Sequence, residues 1–372
     1  MQLTVLQTLP ALEVGGVERG TLEVASALVK SGHRSIVVSA GGQLVKQLVD
    51  QGSEHILLPV GKKSFFTLRY IKQLRELLIT EKVSVLHSRS RMPAWISYLA
   101  WKYMDPVTRP RFITTVHGPY TVNRYSRIMT SGERVIAISE YIRDYILQNY
   151  PETDDKKIRV IHRGVSPDEF PRGYQPTPEW LTKWTQQHPE LADKYIVTLP
   201  ARVTRWKGHE DFLEIIRMAS ARGLPVHGLV AGGPHRGKEA FFNSLINSTA
   251  KSGLDSHLTF LGHRNDLKDI MAISDVVFSL AKDPEAFGRT ALEALSIGRP
   301  VIAYNHGGAR EVLNEIFPEG LVTPNDINSA STKLEGFIQS RPVVKKNNPF
   351  TLDRMLTKII ALYEELAGAN GK

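Results

Sequence analysis

Two carboxylates, Glu285 and Glu293, stand on either side of a helix start in the stretch PEAFGRTALEALSIGRPVIA. Gly288 and Arg289 open the helix, Ala291, Leu292, Ala294 and Leu295 carry its apolar face, and Gly298 with Pro300 ends it before a buried strand over residues 301–303. Glu285 therefore lies in the preceding loop and Glu293 one turn inside. A loop running into a helix offers unpaired backbone N–H groups and the positive end of the macrodipole, a setting for phosphate. Flanking carboxylates accept hydrogen bonds from hydroxyls. Hydroxyls at both ends with phosphate in the middle describe a nucleotide sugar, with Phe287, Gly288, Arg289 and Thr290 among the residues that bind this donor. A second turn, Gly307-Gly308, supplies another helix start beside the first. The plainer reading of Glu293 is a surface pair with Arg289 one turn away, worth about 0.2–0.5 kcal/mol.

Other groups fit the same chemistry. Arg202, Lys207 and Gly208 precede a helix in ARVTRWKGHEDFL, and two cations at a helix start neutralise charge building on a departing diphosphate. Helix starts favour acidic residues, which weighs against a merely solvated basic loop there. Gly15 and Gly16 make a turn between the first strand and first helix, followed by Glu18 and Arg19. His117 ends a strand in TTVHGPY; no triad or paired carboxylate accompanies it, so it is not assigned as a general base. The run from Gly232 to Lys238 nearly spells a P-loop, but Glu239 stands where Ser or Thr would hold magnesium and Pro234 removes an N–H. An NTPase is thereby disfavoured.

The glutamate pair resembles the E-x7-E motif of retaining glycosyltransferases, most closely glycosyltransferase family 4, and the resemblance extends over essentially the whole chain. It implies that Glu285 contacts the transferred sugar and Glu293 the ribose hydroxyls, that Arg202 and Lys207 bind the donor diphosphate, and that His117 contacts the donor sugar. Gly15-Gly16 would leave room for donor phosphate and acceptor, Gly232-Gly233 would lie near the donor, and Arg264-Asn265 would face the base without fixing which base it is. One stretch departs from the pattern: the usual Asn-Gly-Val-Asp is here replaced within residues 162–168. The implied reaction moves a sugar from a nucleoside diphosphate to a hydroxyl of a lipid-linked or lipopolysaccharide-core glycan. Attack comes on the face from which diphosphate leaves. An epimerase or phosphorylase of the same architecture and an inert nucleotide-sugar-binding module are the alternatives. No Asp-x-Asp occurs, so neither metal nor other cofactor is expected, and the absence of G-x-G-x-x-G argues against a dehydrogenase.

These residues need a frame. Short apolar runs at 3–7, 36–39, 56–59, 83–87, 112–116, 135–138 and 158–161 alternate with helical patterns such as 17–31, 68–80 and 140–149, the signature of a parallel sheet with crossover helices. The alternation restarts at 195–200 and continues through 226–231, 258–261, 276–280 and 301–303. The fold class is α/β: two facing Rossmann-like doubly wound parallel sheets, which the resemblance makes the GT-B fold with a central cleft. Residues 1–170 form the acceptor-side domain, a proline-rich stretch at 171–193 reads as a linker, and 194–345 bind the nucleotide sugar. By the resemblance, a final helix within 350–372 crosses back to the first domain.

At 372 residues the chain exceeds one compact core. No apolar run reaches the roughly 20 residues of a membrane span, and the N-terminus reads as a strand and loop, not a signal peptide. With no cysteine, disulfides and thiol chemistry are excluded and a cytoplasmic location is expected. Of the net charge of +9, residues 1–150 hold +8, with 19 Lys and Arg against 11 Asp and Glu. An anionic partner of the first half follows: an anionic glycan, a lipid-linked acceptor or the inner face of the cytoplasmic membrane. No nucleic-acid module accompanies the charge. Lys62, Lys63, Phe65, Phe66, Arg69 and Lys72 suit peripheral contact with anionic lipid, or else the phenylalanines serve the core.

Overall fold

The computed structural model describes residues 2–13, 15–234 and 237–368, which divide into two compact units, 1–162 with 353–372 and 163–352. The first unit holds seven strands: β1 (Thr4–Thr8), β2 (Arg34–Ser39), β3 (Glu54–Leu57), β4 (Val85–Ser88), β5 (Arg111–Val116), β6 (Arg134–Ala137) and β7 (Ile158–Val160). All pair in parallel, in the order β3-β2-β1-β4-β5-β6-β7. The strands are nearly continuous in apolar residues because helices cover both faces. On one face Leu6, Leu86 and Phe112 pack with Leu74, Ile96 and Trp101, and on the other Leu9 and Val37 pack with Leu22 and Leu48.

The second unit repeats the plan with β8 (Tyr195–Leu199), β9 (Val226–Ala231), β10 (Leu258–Gly262), β11 (Val276–Ser279), β12 (Val301–Tyr304) and β13 (Leu321–Val322), in the order β10-β9-β8-β11-β12-β13. Phe212, on the helix His209–Ala221, meets Phe278 of β11 edge to face at 5.4 Å. Each sheet reverses its winding at one point, between β1 and β4 and between β8 and β11. Ligands of such folds bind outside the carboxyl ends of the strands at that reversal.

Residues 163–193, expected to divide between the first domain and a linker, belong to the second unit. Their prolines are structural: Pro178 opens the helix Pro178–Gln187, whose Thr177 accepts from the Trp180 N–H, and Pro189 opens a short 3-10 turn. Trp184 and Leu191 then enter the core with Leu229 and Ile270, with Trp180 stacked on Trp184 at 4.9 Å. Composition alone does not separate such a strap, anchored by a few buried side chains, from a free linker.

Within the departing segment 162–168, the Gly164-Val165 pair that the pattern shares is held by close packing. Val165 bridges Thr351 in parallel, and a Cβ on Gly164 would collide with the Thr351 carbonyl. The final helix, Leu352–Gly368, packs on the first sheet; residues 369–372 of that predicted segment lie outside the described residues. Tyr363 is fully buried, its hydroxyl 2.6 Å from His87 Nδ1 on β4, and Arg111 Nε donates to the Leu366 carbonyl at 3.1 Å. Phe65 and Phe66 are not core residues: they are 91% and 80% exposed on a 3-10 turn whose cap, Ser64, accepts from the Phe66 N–H.

Candidate donor site

The second sheet's reversal brings together chain ends that are distant in sequence. Arg202 and Lys207 follow β8, and Glu285 follows β11. Lys207 donates to the Glu285 carboxylate, forming an ion pair whose side chains are 20% and 15% exposed. Gly208 permits the approach: its φ is +75°, and a Cβ there would collide with the Leu280 carbonyl oxygen. Burial, reinforced by the charge of Arg202, pushes the Lys207 ammonium down to about 8. The Glu285 carboxylate works in the opposite sense. Arg202 itself is exposed.

The Glu285 loop is fixed by its neighbours. Its carbonyl accepts the Gly308 N–H at 2.8 Å, and Gly308 lies so close to Phe287 that a Cβ there would collide with the backbone. His306 Nε2 meets the Ala281 carbonyl at 2.7 Å. Lys282 pairs with buried Asp211 at 2.9 Å, and Asp211 also accepts from the Tyr304 hydroxyl at 2.6 Å. The helices Arg289–Ser296 and Gly307–Ile316 thus start side by side, and neither has a side-chain cap. By contrast Asp326 caps the next helix by accepting from the Ser329 N–H. Gly288, in the left-handed region at φ +78°, precedes the first of these starts, and Thr290 is half-buried in its first turn.

Other expected residues sit as follows. Arg289 Nε donates to Glu293 Oε1 at 2.9 Å, the one-turn pair that the sequence allows, although Glu293 is only 12% exposed. Phe287 turns inward, 4% exposed and edge to face on Phe350 at 5.9 Å, so only its main chain faces the helix start. Gly232 abuts the Ala201 carbonyl and bridges Gly262, while Gly233 keeps ordinary contact with His263. His235 and Arg236 of the near-P-loop lie outside the described residues. Arg264 forms a bidentate pair with Asp266 at 2.8 and 2.5 Å, and Asn265 is exposed.

In the first unit, Gly15 and Gly16 follow β1 and His117 follows β5, so all three lie at that sheet's carboxyl edge. Gly15 precedes the helix Gly16–Lys30 without a side-chain cap, and a Cβ on Gly16 would meet open space. The His117 N–H donates to the Tyr120 hydroxyl at 3.3 Å.

Sequence reasoning missed two supports of the Lys207 loop. Asp211 gave its only signal as an acidic residue in a helix's first turn. His209 is fully buried directly after Gly208, where burial pushes it down to about 4, Lys207 adding to the effect and the Ala201 and Thr204 carbonyls opposing it. It is neutral at physiological pH.

A doubly wound sheet whose reversal point gathers a carboxylate, an ammonium and two uncapped helix starts, in a chain with a second such sheet, defines the GT-B class of glycosyltransferases. Two family models divide the chain between them, Glycosyltransferase Family 4 over residues 14–169 and Glycosyl transferases group 1 over residues 182–350. A glycosyltransferase from Rickettsia africae ESF-5 of known structure is 33% identical, with a TM-score of 0.85 and 98% of each chain covered. HepE of Anabaena, solved with UDP and glucose, has a TM-score of 0.81 at 17% identity, over 98% of this chain and 100% of that one. The uncharacterized glycosyltransferase MJ1607 of Methanocaldococcus jannaschii is 22% identical over 82% of this chain and 80% of its own. The chain belongs to the family 4 type of glycosyltransferases.

Proposed function

We propose that this glycosyltransferase moves a sugar, with retention and without metal, from a nucleoside diphosphate to a hydroxyl of an anionic or lipid-linked glycan, in lipopolysaccharide or other cell-surface glycan synthesis. The observation that carries the reading is the Lys207–Glu285 pair beside two uncapped helix starts. Lys207 and Arg202 neutralise the departing diphosphate together with the helix N–H groups. Glu285, fixed through its own carbonyl, orients the transferred sugar, and Glu293 accepts from the ribose hydroxyls. The acceptor oxygen bonds to the anomeric carbon as the bond to diphosphate breaks, and a leaving phosphate oxygen takes the acceptor proton. Positioning and charge stabilisation then replace a protein nucleophile. That HepE was solved with UDP and glucose supports a nucleotide-sugar donor here. A thermal-shift screen of UDP, GDP and ADP sugars, followed by assay of transfer to glycan acceptors, tests this. Stabilisation without turnover on any acceptor would leave only a binding module.

The working place that fits is the cytoplasmic side of a membrane. Among the described residues no helix is long and apolar enough to cross one. Phe65 and Phe66, exposed beside Lys62, Lys63, Arg69 and Lys72, suit insertion at an anionic lipid surface, aromatics below the headgroups and cations among them. The protein should sediment with anionic vesicles at low salt and less with neutral ones. Equal failure with both at every salt concentration would remove the idea.

A further inference from the structure

Lys207 stands in surroundings that oppose its charge. Burial and Arg202 disfavour the ammonium, and two uncapped helix starts add positive potential beside it. Glu285, from the loop after β11, is the carboxylate it meets, and that carboxylate is the group proposed to turn to the transferred sugar. The other charged and titratable groups nearby are engaged elsewhere. Lys282 pairs with Asp211 at 2.9 Å and lies 3.8 Å from Glu210, Arg205 lies 3.8 Å from Glu210, and His209 is buried and neutral.

One further partner is the indole of Trp206. Lys207 Nζ lies 4.2 Å from the centre of that ring. A ring face attracts a cation through its quadrupole and carries no net charge, so it supports the ammonium without cancelling it toward an anion, as a second carboxylate would. Chain adjacency alone does not produce the contact: Arg205, on the other side of Trp206, lies 4.7 Å from the Phe241 ring instead. The backbone under both side chains is fixed. Residues 205–207 form a 3-10 turn, the Lys207 N–H donates to the Thr204 carbonyl at 3.1 Å, and Gly208 follows in the left-handed region. The Lys282 N–H donates to the Trp206 carbonyl at 2.7 Å, which ties the indole to the loop that carries Glu285. Trp206 is 36% exposed, so core packing does not account for an indole at this position.

We propose that Trp206 is a positioning residue of the transfer reaction: its ring face keeps the Lys207 ammonium charged and in place for the departing diphosphate while Glu285 turns to the sugar. This rests on the glycosyltransferase reading and deepens it, because it names the group that holds the cation when its carboxylate is occupied.

The test reads the ammonium directly, so it does not depend on turnover. The protein is made with lysine labelled with carbon-13 at Cε and titrated by NMR from pH 6 to 10, as wild type, Trp206→Phe, Trp206→Leu and Trp206→Met, each checked for native circular dichroism. The Lys207 signal is the one missing from Lys207→Arg. In the wild type its Cε protons should lie upfield of those of exposed lysines, because the ring current shields groups above its face. That displacement should vanish in Trp206→Leu and Trp206→Met, while the signal of Lys268, 4.0 Å from the Tyr174 ring, stays in place. The Lys207 midpoint should fall by about 0.5–1 pH unit in the Leu and Met variants, and Trp206→Phe should recover most of that fall, since a benzene face also attracts a cation. On the alkaline limb kcat/KM for the donor should drop about 3-fold to 10-fold in step with the midpoint. No upfield displacement in the wild type, a midpoint unmoved by loss of the ring, or a Phe variant as low as the Leu variant would overturn the proposal. A midpoint that falls while the kinetic limb stays put would leave the ring's hold on the ammonium standing and count against the proposed function.

Discussion

Lys207 gives the sharpest test of the proposed mechanism, because its task requires a charge that its surroundings oppose. Burial and Arg202 bring it from 10.5 to about 8, which by about 1.4 kcal/mol per tenfold amounts to about 3 kcal/mol against the ammonium. If that ammonium neutralises the departing diphosphate, kcat/KM for the donor should fall tenfold per pH unit above about 8, since the free enzyme's titration governs that parameter. Lys207→Met should lose about 100-fold to 1000-fold at neutral pH, the scale of one lost donor at a developing anion, and its alkaline limb should vanish. Lys207→Arg keeps a cation that does not titrate in this range, so its limb should also vanish while more activity survives. Arg202→Gln should move the wild-type limb to higher pH. Initial rates at subsaturating donor from pH 6 to 10 provide the measurement. An alkaline limb that persists at the same midpoint in Lys207→Met would refute the reasoning. Stability carries the same proton with a defined sign. The unfolded chain keeps it to 10.5 and the native chain releases it near 8, so the unfolded state binds more protons between those values and unfolding free energy rises with pH across that window.

Further outcomes follow from the same geometry. Glu285→Gln should lower turnover about 100-fold, about 2.7 kcal/mol of barrier, with little effect on nucleoside diphosphate affinity; collapse of that affinity would reverse the roles. Glu293→Ala should weaken binding of the free nucleoside diphosphate in a calorimetric titration, and unchanged affinity would leave Glu293 as only the partner of Arg289. Transfer should persist in excess EDTA, and complete loss restored by magnesium or manganese would count against a diphosphate site built from cations and N–H groups. Tyr363→Phe removes a buried hydroxyl from His87 and should cost about 1–3 kcal/mol in urea denaturation, with the m-value unchanged.

Much of this protein is written locally in its sequence. The alternation of apolar runs with amphipathic stretches sets twelve of the thirteen strands described and their crossover helices, because both faces of a parallel sheet are covered; the two-residue strand Leu321–Val322 is too short to leave such a pattern. The spacing of Glu285 and Glu293 around Gly288 places one in a loop and one on a helix, since glycine at positive φ and a 3.6-residue turn are short-range constraints. Other features depend on which strands become neighbours. Lys207 and Glu285 are separated by 78 residues and meet because β8 and β11 pair at the reversal of winding. Phe65 and Phe66 have the composition of core and stand in solvent, while the proline-bearing stretch around Trp184 has the composition of a linker and anchors in the core through Trp184 and Leu191. Burial is a property of what the rest of the chain leaves uncovered. Local pattern can specify an element and its chemistry, but only the packed sheets decide which faces and which charges are brought together.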